Sequence, residues 1–60
     1  MCETNAYLLE DGDERLIMEN VAFVRRKNGI LELRDLFGEE KTVSGEIKEV
    51  QFLDRKILIT

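Results

Sequence analysis

Two Xaa-Gly dipeptides, Asp11-Gly12 and Asn28-Gly29, constrain the fold of this chain more than anything else in it. Each asks for a turn with positive φ, where glycine meets no steric penalty. Each also separates two short apolar runs, and that combination is the strongest short-range signal for a β-hairpin. Asn5 to Leu9 is short and apolar and stops at Glu10-Asp11-Gly12-Asp13. Arg15-Leu16-Ile17-Met18 follows and leads through Glu19-Asn20 into Val21-Ala22-Phe23-Val24. Behind Asn28-Gly29, Ile30-Leu31-Glu32-Leu33-Arg34 alternates, with Leu31 and Leu33 on one face and Glu32 and Arg34 on the other.

Asp35-Leu36-Phe37-Gly38-Glu39-Glu40 interrupts the pattern, and Lys41 to Phe52 resumes it. Val43 and Ile47 share one parity while Val50 and Phe52 share the other, which implies a bulge or bend near Ser44-Gly45 or between Ile47 and Val50. One or two helical turns over Glu46 to Phe52 are the competing reading, and the β-branched Ile47 and Val50 count against them. Leu53-Asp54-Arg55-Lys56 is a further tight connection, and Ile57-Leu58-Ile59 closes the chain. Five to six short strands linked by hairpin-like turns predict an all-β fold, a small antiparallel barrel or rolled sheet. The interior of so small a barrel is filled by its own side chains, so function is expected at the surface, the termini or an oligomer interface.

Sixty residues make a single domain, 1–60. A chain this short buries only about 60% of the surface its unfolded form exposes, so its stability calls for a supplement. One cysteine forms no intrachain disulfide, and with no histidine there is no structural zinc set. Association into a homodimer is the remaining common supplement. The cysteine usage points to a reducing, cytoplasmic setting. No apolar run approaches the roughly 20 residues a membrane helix needs, and no signal-peptide pattern leads the chain. At 43% hydrophobic and 37% charged, the composition is that of a folded domain. Thirteen acidic residues against nine basic give a net charge of −4, the wrong sign for a general nucleic-acid binder.

The single cysteine stands at position 2, directly behind Met1. Removal of the initiator would place an α-amine, a thiol and the next backbone amide nitrogen within one chelating unit. Thiolate and nitrogen donors suit square-planar Ni(II) or Cu(II), whereas Zn(II) prefers tetrahedral thiolate and imidazole sets. Without histidine, this terminus is the one plausible transition-metal site, with Glu3 adjoining it as an oxygen ligand or as tuning charge. The bland alternative is that Cys2 is a small hydrophobe tucked under the first strand.

The remaining candidates weigh less. Glu10, Asp11, Asp13 and Glu14 cluster at the first turn without calcium-loop spacing and read as a solvated turn. Arg25-Arg26-Lys27 is the one basic run; it is either a solubilised strand edge or, in an RNA-binding module, the phosphate contact. Tyr7, Phe23, Phe37 and Phe52 mostly sit among apolar neighbours and are expected to pack. Leu36-Phe37 reads as a plug at one end of the barrel or as a contact that docks on a second subunit. Nothing resembles a nucleophile–base constellation or a phosphate-cradling loop, so the chain is not read as an enzyme; beside metal binding, the alternatives are the RNA-binding module and a metal-free protein-interaction domain.

Three segments carry a family resemblance: Met1-Cys2-Glu3-Thr4-Asn5-Ala6-Tyr7-Leu8-Leu9, Leu16-Ile17-Met18-Glu19-Asn20-Val21, and Leu33-Arg34-Asp35-Leu36-Phe37-Gly38-Glu39-Glu40-Lys41. The chain resembles the CooT family of small nickel-binding proteins over essentially its whole length, most specifically at the Met-Cys-Glu start and the Leu-Phe-Gly-Glu segment. The resemblance implies an SH3-like β-barrel, a homodimer, and Ni(II) bound through Cys2. It further implies a carrier, chaperone or sensor role toward a nickel enzyme, since the founding member is linked to maturation of carbon monoxide dehydrogenase. Many relatives have also been catalogued as predicted RNA-binding proteins. Some members carry a His-rich segment that this chain lacks, which leaves the terminal site alone.

Overall fold

The computed structural model of the protein describes residues 3–60, which form seven strands and, among those residues, no helix. The strands are β1 (Asn5–Glu10), β2 (Asp13–Met18), β3 (Val21–Lys27), β4 (Ile30–Asp35), β5 (Glu40–Ser44), β6 (Ile47–Gln51) and β7 (Lys56–Ile59). Hydrogen bonding sorts them into a four-stranded sheet, β2-β1-β7-β6, and a three-stranded sheet, β3-β4-β5.

Both Xaa-Gly turns form as their sequence requires. Asp11 and Gly12 have φ of 51° and 84°, and Asn28 and Gly29 have φ of 52° and 78°. Two positive φ angles in succession match the right-handed twist of the flanking strands, so the registers close at Glu10 opposite Asp13 and Lys27 opposite Ile30. The alternation in β4 is realised: Leu31 and Leu33 are buried, while Ile30 and Arg34 are exposed.

Three features depart from the sequence reading. There are seven strands rather than five to six, because the expected bend at Ser44-Gly45 is a complete break between β5 and β6. Gly45 has φ of 148°, and a Cβ there would lie 2.5 Å from the Thr60 carbonyl oxygen. That oxygen accepts the Glu46 N–H at 3.0 Å, so only glycine lets the chain pass so close. The second expected irregularity is also present, as a register shift between Ile47 and Glu49; the segment is strand, and the helical alternative over Glu46 to Phe52 is not adopted.

Not all turns are hairpins, either. Glu19-Asn20 carries the chain from β2 in one sheet to β3 in the other, and Gly45-Glu46 carries it back. Finally, the sheets are not wholly antiparallel: β1 and β7 run parallel, Asn5 opposite Lys56 through Leu8 opposite Ile59. A parallel neighbour needs a long crossover, and here β2 to β6, the entire second sheet included, provide it.

The two sheets share one core. Ala6 and Met18 face Leu31 and Leu33 of the other sheet, with Ile57 and Ile59 of the central strand β7 completing the cluster. Leu58 is buried as well, on the opposite face of β7 by strand alternation. Among the described residues no buried polar side-chain atom lacks a partner. At the edges, Lys41 Nζ of β5 donates to the Ile17 carbonyl of β2 at 2.8 Å, joining the sheets on one side. On the other side β3 and β6 are separated by a groove of about 250 Å³.

Candidate functional site

The sequence places its metal candidate at the amino terminus, so the geometry there comes first. Cys2 lies outside the described residues. Glu3 is exposed, and Thr4 behind it is anchored: its carbonyl accepts the Val21 N–H at 2.7 Å. Asn5 then enters β1, and its N–H donates to the Arg55 carbonyl at 3.0 Å. The Asn5 side-chain oxygen accepts the Asn20 N–H at 3.2 Å, and the Asn20 carbonyl accepts the Leu36 N–H at 2.9 Å. This run of hydrogen bonds gathers four segments at one end of the molecule: residues 3–5, the β2–β3 turn, the β4–β5 turn and the β6–β7 turn.

Those turns are unlike the ones at the opposite end. In the β4–β5 turn, Asp35 Oδ1 accepts the N–H groups of Phe37 (2.8 Å) and Glu39 (2.9 Å), while Gly38 takes φ of 91°. A side-chain oxygen that satisfies two backbone donors fixes the turn and leaves its tip free to project. Phe37 at that tip is 83% exposed. In the β6–β7 turn, Phe52 is 86% and Leu53 is 99% exposed. The β3–β6 groove opens beside them and is lined by Thr4, Val21, Phe23, Val50, Phe52 and Ile57 among others. The opposite end carries Asp11-Gly12, Asn28-Gly29, Gly45-Glu46 and Thr60, where Gly45 N–H donates to the Gly29 carbonyl at 3.2 Å.

The expectation that the aromatics pack is therefore corrected for Phe37 and Phe52. Each sits at a turn tip, where no second sheet can reach it. Phe23 is partly exposed and lies beneath two guanidinium groups, Arg34 at 4.9 Å and Arg25 at 5.8 Å from its ring centroid. Tyr7 is half-buried with the Lys56 ammonium 5.3 Å from its ring. Lys56 also donates to Glu14 Oε1 at 2.9 Å, tying β7 to β2 across β1. That hydrogen bond and the Glu14 charge raise the Lys56 pKa above its ordinary 10.5.

The basic run does not make a basic surface. Arg25 pairs with Glu32 at 2.7 Å and Arg26 with Glu46 at 2.9 Å, and successive strand residues point to opposite faces. Arg25, Arg26 and Lys27 thus share a strand end without presenting three charges to one ligand. Among the described residues no three His, Cys, Asp or Glu side chains converge on a metal-sized site. Among the described residues no helix is long and apolar enough to cross a membrane. The signal that could have found the exposed tips was positional: Phe37 and Phe52-Leu53 fall in turn segments, where period-two packing no longer applies.

Comparison with known proteins agrees with this architecture. The model of the family described as "CooT: CO dehydrogenase accessory protein CooT" matches residues 1–60. An uncharacterized protein of Methanocaldococcus jannaschii, MJ1551, is 37% identical over 59 residues, covering 98% of this chain and 96% of that one. A crystal structure described as a candidate CooT from Carboxydothermus hydrogenoformans superposes with a TM-score of 0.89 at 29% identity, covering 97% of this chain and 94% of that chain.

Proposed function

The chain belongs to the CooT family, and on that footing we propose that it carries Ni(II) at its amino terminus as an accessory to a nickel enzyme. Its place is that of an accessory protein rather than a catalyst. Cys2 supplies the thiolate and, once Met1 has been removed, its α-amine; Glu3 supplies the next amide nitrogen and a nearby negative charge. The ion is cargo, held by donors that favour a square-planar borderline cation over Zn(II). One ion is shared by the two termini of a homodimer, in the reducing cytoplasm that keeps the thiol free. The SH3-like barrel belongs to this reading; the two sheets are bridged by Lys41 between β5 and β2 but are open between β3 and β6 and do not close into a barrel.

The observation that carries this reading is the family match across residues 1–60, the cysteine included. The anchored Thr4 and exposed Glu3 support it, because the first described residues lie at the surface rather than in the core. An RNA-binding role finds no comparable support, given the ion-paired Arg25 and Arg26 and the net charge of −4. The test is Cys2→Ser in an untagged chain shown by mass to lack Met1. Nickel binding and the thiolate-to-nickel absorption are expected to vanish while the circular dichroism of the fold is unchanged. Nickel affinity equal to that of the parent chain would refute the assignment.

A further inference from the structure

Two strand edges flank the groove between the sheets, and among the described residues neither has a neighbour there: β3 is bonded only to β4, and β6 only to β7. In an antiparallel ladder, alternate residues turn both backbone groups away from the paired strand. The two-residue turn makes Lys27 and Ile30 a hydrogen-bonded pair, so Val24 and Arg26 of β3 turn theirs outward. Glu46 and Thr60 exchange both bonds, at 3.0 and 2.9 Å, and counting along β7 from there turns Ile47 and Val50 of β6 outward as well. No described backbone group outside the two ladders bonds to these four residues. We propose that the groove takes an extended apolar segment of a partner protein, which adds to the open edge of β3 and sets one carboxylate against Arg55. The inference goes beyond the nickel reading and uses none of its ligands.

Three observations define this occupant. First, the β3 edge already holds another backbone at one position: the Val21 N–H leaves the ladder for the Thr4 carbonyl at 2.7 Å, and the edge is open from Val24 onward. Main-chain bonds of this kind give an added strand its affinity, and recesses for alternate side chains give it selectivity. Second, the space suits the side chains of a strand. The groove holds about 250 Å³, below the ~300–1,000 Å³ of sites that enclose a small molecule, and it is lined by Val21 and Val24 of β3 together with Val50, Phe52 and Ile57. Every second side chain of an added strand would fall onto these apolar residues. Beyond Val24 the Arg26–Glu46 ion pair, at 2.9 Å, joins the end of β3 to the residue before β6 and closes that end. Third, the groove has a single charge. Arg55 is the one charged residue lining it and makes no ion pair among the described residues, whereas Arg25, Arg26 and Arg34 are all paired. A chain of net charge −4 repels acidic partners in general, so a carboxylate is favoured only beside such a cation. A second copy docked by the same groove would instead bring another Arg55 to it.

The experiment selects peptides from a phage-displayed library of random octapeptides on the full, metal-free, reduced chain and measures the synthetic winners by fluorescence anisotropy. The selected sequences should alternate apolar residues and carry an Asp or Glu at one end. Arg55→Gln should weaken them ~10-fold, as loss of a hydrogen bond to a charged group does. Phe52→Ser should weaken them ~10-fold or more, as loss of an aromatic anchor does. Both positions are peripheral to the core, and thermal unfolding monitors the fold. Two further readouts leave the protein sequence untouched. N-methylation of one alternating set of peptide amides should abolish binding while methylation of the other set does not, and the Val24 and Arg26 amides should become protected from hydrogen exchange when peptide is bound. A selection that enriches no peptide would overturn the proposal. So would winners that bind Arg55→Gln as tightly as the parent, or that leave the Val24 and Arg26 amides exchanging freely. If those amides are protected in the chain alone and it sediments as a dimer, the groove belongs to a second copy and the proposal fails.

Discussion

Leu31 and Leu33 are where this sequence is easiest to read. They alternate with Glu32 and Arg34, and the structure buries the pair and leaves Arg34 exposed, because β4 is the central strand of its sheet with one face on the core. Leu31 is wholly buried in a cluster of six buried residues among those described, too small for its neighbours to fill the space its loss would leave. Leu31→Ala is expected to cost about 2–5 kcal/mol. A core this small rarely supplies more than ~3–5 kcal/mol, so the variant should be largely unfolded at room temperature. Urea titration followed by circular dichroism measures it, and a variant with the parent midpoint would contradict this account of the core. Phe37 and Phe52 were as apolar in the sequence but were misplaced by it, since composition does not say whether a turn tip meets another layer.

At the level of elements, the hairpins were legible and the crossings were not. Asp11-Gly12 and Asn28-Gly29 fix their turns locally, through positive φ at consecutive residues. The pairing of β1 with β7 joins residues some fifty positions apart, and no local signal encodes it. Glu19-Asn20 resembles a hairpin turn in sequence, yet it passes between sheets; Asn20 takes φ of 56° and its N–H is satisfied by the Asn5 side chain. That bond fastens the start of β1 to the β2–β3 crossing. Asn5→Ala leaves a part-buried N–H without its acceptor, at an expected cost of about 1–2 kcal/mol, whereas Asn5→Asp retains the acceptor and most of the stability. Thermal or urea midpoints for the two variants distinguish the outcomes, and equal midpoints would mean that the bond contributes nothing.

Across the whole molecule, the strands sort the turns into a polar end and an apolar end, and the apolar end is where residues 3–5 are held. The metal candidate comes from a single cysteine at position 2 in a chain without histidine, together with the family resemblance, and Cys2 lies outside the described residues. The surface around residues 3–5 was not legible, because it depends on which turns the two sheets bring side by side. On the proposed site, nickel would displace protons from the thiol and nitrogen donors, so affinity is expected to fall as pH drops. The central claim is tested most directly by titrating Ni(II) into the processed, untagged chain while recording stoichiometry and thiolate absorption together. The account predicts saturation at one ion per two chains, with an absorption that disappears on acidification or on alkylation of Cys2. Saturable binding that alkylation leaves intact, or no saturable binding to the free thiol, would contradict it.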